Sequence, residues 1–88
     1  MDELTNDQIL ARSNRAKQLL DDELFKEAIL VTEERIIEAW KVASSPEVRE
    51  SLHSQLRGLT SVVGAIRSVL DEGDFLKDQL EKKEHRTQ

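Results

Sequence analysis

LHSQLRGLTSVVGAIRSVL, residues 52–70, decides the fold. Within it Leu52, Leu56, Leu59, Val63, Ile66 and Leu70 recur at alternating spacings of four and three, a 3.5-residue repeat that lays one apolar seam along a helix. Just upstream, Ser45 can cap a helix start, Pro46 suits the first helical position where no amide bond is lost, and Glu47 favours the positive end. The spacing therefore predicts a helix over 46–72, stopped by Gly73 as a left-handed C-cap. Gly58 and Gly64 sit inside the repeat, where each costs about 1 kcal/mol relative to Ala. They mark either a close approach of another backbone or a tolerated weakness.

On the N-terminal side, residues 23–44 place Phe25, Ile29, Ile36, Trp40 and Ala43 on one helical stripe. Leu24, Leu30, Val31 and Ile37 widen that stripe beyond half the circumference, the pattern of a helix with two neighbours. The short Ser44-Ser45 connection predicts that this helix and the next fold back as an antiparallel hairpin. A first segment, residues 7–20, has Thr5 or Asn6 to cap it but only Ile9, Ala16, Leu19 and Leu20 as apolar positions. Arg12, Ser13, Asn14 and Arg15 fill its middle, so it is expected to dock weakly or to order on binding. Asp21-Asp22 reads as a break with an N-cap or as a bend in one continuous helix. Beyond Gly73, Asp74 caps a short amphipathic helix with Phe75, Leu76 and Leu80, and residues 1–6 and 82–88 read as flexible. The expected architecture is one all-α domain over 1–88, a coiled-coil-like antiparallel helical hairpin with short flanking N- and C-terminal helices.

Composition narrows the function classes. At 88 residues and 10.1 kDa one small domain is expected, and 38% hydrophobic residues with three aromatics (Phe25, Trp40, Phe75) are a lean supply for a self-sufficient core. A homo-oligomer is therefore expected. The net charge of −5 repels phosphate backbones and acidic lipid surfaces, so broad nucleic-acid binding is disfavoured. No cysteine excludes a disulfide framework and a thiolate nucleophile. The longest apolar run, Ala28-Ile29-Leu30-Val31, is far below the ~18–20 residues of a membrane span. Met1-Asp2-Glu3-Leu4 lacks the basic start of a secretory signal, which points to synthesis in the cytoplasm without export and no membrane partner.

The most chemical-looking feature is Glu50-Ser51-Leu52-His53, an acid and a histidine three apart, the spacing of ligand pairs in helical di-iron proteins. Glu34 and Glu38 on the facing helix could complete a metal-binding bundle. However, Glu50 lies off the leucine seam between Arg49 and Arg57, and the motif occurs once, so a solvated face outweighs a metal and no metal or cofactor is assigned. The serines, from Ser13 to Ser68, fall on helix surfaces and caps, and His53 lacks an orienting acid and a nucleophile, so no catalytic residue is assigned and no enzyme is expected. Trp40, near the closed end of the hairpin, is expected to pack over the turn against Val48 and Leu52 and is a candidate partner contact. Two basic stretches, Arg12-Ser13-Asn14-Arg15-Ala16-Lys17 and Lys82, Lys83, His85, Arg86, could be arrayed around DNA by an oligomeric regulator or packaging factor; this alternative is not favoured on an acidic chain.

The order of Arg15-Ala16-Lys17-Gln18-Leu19-Leu20-Asp21-Asp22, Ile36-Ile37-Glu38-Ala39-Trp40-Lys41, Arg49-Glu50-Ser51-Leu52 and Ser68-Val69-Leu70-Asp71-Glu72-Gly73 resembles a family of small helical proteins of tailed bacteriophages and prophages. The resemblance covers residues 15–80 and departs at the link between the second and third helices, which is longer and richer in charge in the family. It implies a gene among head-assembly and packaging genes, a location in the host cytoplasm or the virion, and other phage structural or packaging proteins as partners. It carries over no functional residue. The resulting expectation is a non-enzymatic assembly protein whose oligomer seam is Leu52, Leu56, Leu59, Val63, Ile66 and Leu70 with Ile29, Ile36 and Trp40, and whose Phe75, Leu76 and Leu80 contact partners by helix-in-groove docking.

Overall fold

The computed structural model describes residues 3–86, with side chains through residue 84. These residues form three helices and no strand: α1 (Asn6–Asp21), α2 (Glu23–Val42) and α3 (Pro46–Arg86). Each helix start is set by a side chain that replaces a missing backbone acceptor. Thr5 Oγ1 accepts from Gln8 N at 3.2 Å while Gln8 Oε1 accepts from Thr5 N at 2.8 Å, a reciprocal capping box. Asp22 is extended, and its Oδ1 accepts from Phe25 N at 2.8 Å. The chain thus breaks at this one residue rather than bending through it. Ser45 Oγ accepts from Val48 N at 3.2 Å, directly ahead of Pro46 as the spacing predicts.

α2 ends without glycine. Ala43 is extended, its N–H bonds back to Trp40 O at 3.2 Å, and its carbonyl accepts from Arg49 Nε at 3.1 Å. An α3 side chain thereby satisfies the last α2 turn, which fixes the reversal at residues 43–45.

The chain divides into two compact units. Unit 1 is Met1–Leu20 with Ala65–Gln88, and unit 2 is Asp21–Gly64. In unit 1 the described part of the core is made of small residues. Ser13 and Ala16 of α1 and Gly73 of α3 are buried, and Ser13 Oγ donates to Leu70 O at 3.1 Å. In unit 2 the buried residue is Ile36, which shares a concavity with the half-buried Leu52 and Leu56; Ile29 and Leu59 are half-buried as well.

This corrects the reading of Gly73. No described residue has positive φ, and α3 continues through Gly73 to Arg86, so the expected C-cap and separate C-terminal helix are absent. The physical reason is steric. A methyl group at Gly73 would overlap Ser13 Cβ and Oγ and stand 3.6 Å from Ser13 Cα, so the glycine admits α1 against the α3 backbone. By contrast, a Cβ added at Gly58 or Gly64 meets nothing within 4 Å, so no backbone of the same copy approaches those two glycines. The helix also includes residues 82–86 of the tail read as flexible, with Lys82 Nζ 3.2 Å from Asp78 Oδ2. Thr87 and Gln88, like Met1 and Asp2, lie outside the described residues. Among the described residues no helix is long and apolar enough to cross a membrane.

Candidate docking surface

In unit 2 the reversal after Val42 brings one face of α2 against one face of α3. Ile36, Ile37 and Trp40 from α2 and Leu52, His53 and Leu56 from α3 line one open apolar concavity of about 230 Å3. Ile36 forms its floor and is buried, whereas Ile37 is 45% and Trp40 43% exposed. Helices held apart by side chains of this size leave grooves that only another ridge can fill.

Trp40 anchors the closed end. Its ring lies 6.4 Å from the His53 ring, tilted by 59°, and the Arg49 guanidinium carbon stands 6.0 Å from its centroid. Arg49 and His53 thus stand against its ring, while of Val48 and Leu52, expected beneath it, Leu52 lines the same concavity and Val48 is 49% exposed. Arg49 has two tasks, since it also caps the Ala43 carbonyl. Beside it Glu47 accepts from Ser45 Oγ at 2.9 Å. The Glu47 carboxyl is held below its usual range, first by its own backbone N–H at the helix start and then by the Ser45 hydroxyl.

The sequence seam divides between the two units. Leu52, Leu56, Leu59 and Val63 are half-buried in unit 2, and Ile66 and Leu70 are half-buried in unit 1. Each unit spends part of the seam on its own second helix. Of the residues expected to meet partners, Phe75 is 66% exposed, Leu76 is half-buried, and Leu80 borders a shallow hollow with Gln79, Lys82 and Lys83. Ile37, outside the seam, is the lining residue that the stripe analysis left as mere spread.

The metal alternative does not assemble. Glu38 pairs with Lys41 at 3.1 Å, Glu34 and Glu50 are exposed, and among the described residues no three His, Asp or Glu groups are placed to hold a metal ion. The arrangement offers apolar shape with a charged edge. Comparison with protein-family models, curated proteins and solved structures gives no match.

Proposed function

We propose that the chain is a non-enzymatic association module, a structural or assembly component of a tailed-phage head or packaging apparatus that works by packing its helices against other helices. One observation carries the association part. Among the described residues the buried hydrophobic side chains are Ala16 and Ile36, while eleven large hydrophobics stay exposed, among them Leu24 at 72%, Val42 at 82% and Phe75 at 66%. Each Å2 of apolar surface removed from water contributes about 25 cal/mol, so covering these side chains is a favourable free-energy change open to the folded chain. The placement in a phage head rests on the sequence resemblance over residues 15–80.

The test is fractionation of cells in which the encoding phage or prophage is assembling particles. The chain should sediment with head or packaging intermediates and lose that position when Phe75 and Trp40 are both changed to Ser. A chain found only in the particle-free supernatant would refute the assembly role.

A further inference from the structure

Unit 2 carries a second apolar row on α2. Leu30, Ile37 and Trp40 recur at spacings of seven and three beside the half-buried Ile29 and the buried Ile36, and they are 55%, 45% and 43% exposed.

Charge selects the occupant. On the α3 wall of the concavity, Arg49 and Arg57 stand eight apart on a row beside Leu52 and Leu56, with the uncharged His53 ring between them and Glu50 next to Arg49. On the α2 wall, Glu33 and Glu34 precede Ile37 by four and three. The lysines of that wall, Lys26 and Lys41, are tied to Glu23 at 3.7 Å and Glu38 at 3.1 Å. The α2 wall is thus edged with Glu33 and Glu34, and on the α3 wall Arg57 is the cation not already engaged as Arg49 is by the Ala43 carbonyl and the Trp40 ring. Because Ile36 and Leu56 share the concavity, Glu34 and Arg57 stand at similar heights on opposite rims. A two-fold axis along the helices would set each acidic rim against the basic rim of the other copy, at matching height. A uniformly charged partner would match only one rim.

We propose that the α2–α3 face of unit 2 docks a second copy of this chain, two hairpins closing a four-helix bundle around Ile37 and Trp40 with Glu34 opposite Arg57 of the other copy. The pairing rests on the reading of the chain as an association module and names its first partner. Light scattering on the full chain should give twice 10.1 kDa. Ile37→Glu should give a monomer of unchanged helix content, because that side chain is half-exposed within one copy. Glu34→Arg and Arg57→Glu should each weaken the dimer about tenfold by setting like charges opposite one another, and an equimolar mixture of the two should recover wild-type affinity. Only reciprocal pairing across the interface produces that recovery. A monomeric wild type, a dimer that survives Ile37→Glu, or a mixture no tighter than its components would overturn the pairing. A monomer that still sediments with head particles would overturn it while leaving the assembly role intact, and a dimer that ignores particles would do the reverse.

Discussion

In unit 1, α1 comes so close to α3 that Gly73 has no room for a methyl group; in unit 2, α2 and α3 are held apart by Ile36, Trp40, Leu52 and Leu56. The first contact uses Ser13, Ala16 and Gly73, buries all three, and adds a hydrogen bond from Ser13 to the Leu70 carbonyl. The second uses large side chains and buries one of them, Ile36. Small residues trade hydrophobic area for backbone proximity, whereas large ones gain area but leave gaps between ridges that the pair cannot fill alone. A crossing of the first kind is complete in one copy, and a pair of the second kind has a face to offer.

The sharpest way to break this comparison is to remove the floor of the open face. Ile36→Ala should cost about 3 kcal/mol, because the side chain is 7% exposed and the surrounding half-buried residues already have few partners with which to close the cavity. Denaturant unfolding would give the loss, and amide exchange should show it mainly across residues 21–64. If exchange accelerates equally in unit 1, the two units are one cooperative body and the contrast between them fails.

Overfilling the close crossing comes next. Gly73→Leu should cost about 2 kcal/mol and expose α1 to proteolysis, since the added carbons overlap Ser13. Adding the same kind of bulk where no helix approaches has the opposite sign. Gly58→Ala and Gly64→Ala should each raise stability by about 0.5–1 kcal/mol, the helix-propensity gain with no clash to offset it. Melting curves of the three glycine variants should therefore move in two directions. A loss at Gly58 or Gly64 would mean that another chain occupies the space beside them.

These glycines also show where the sequence stops informing. The 3.5-residue repeat of Leu52 to Leu70 specifies a helix, and Thr5, Asp22 and Ser45-Pro46 specify starts, because caps and periodicity are local. Gly73 is ambiguous locally: a glycine after Asp71-Glu72 suits a helix end and equally suits a close crossing. What decides is Ser13, whose hydroxyl partner Leu70 lies 57 residues along the chain. Ser13 itself sits in a polar, basic stretch that reads as a wet helix face, and its burial follows only from meeting Gly73. The candidate site was legible in the same partial way. Trp40 and Ile36 stand out by residue type and stripe, but a seam states that something packs against it without stating what. The structure assigns the half-buried seam residues to their own units and leaves Ile37 and Trp40 open. Ile37 could have been found from its seven-residue spacing to Leu30, a second row beside the first.

The smallest effect concerns the reversal that shapes the open face. Glu47 accepts from the Ser45 hydroxyl at 2.9 Å and stands at the positive end of α3, so its carboxyl titrates below the ordinary carboxylate range in the folded chain. A folded pKa below the unfolded one means that the ionised form favours folding. The contribution is fully present above the unfolded carboxylate range and is lost as pH falls through the folded value. Carbon-detected titration should place the Glu47 midpoint below the ordinary carboxylate value, and Ser45→Ala should move it partway back while also removing the acceptor for Val48 N. Full exposure of the carboxylate keeps the energetic effect small, so the midpoint is the proper readout. A Glu47 midpoint at the ordinary carboxylate value would show that the reversal is held by the Arg49 bond to Ala43 and not by the helix start.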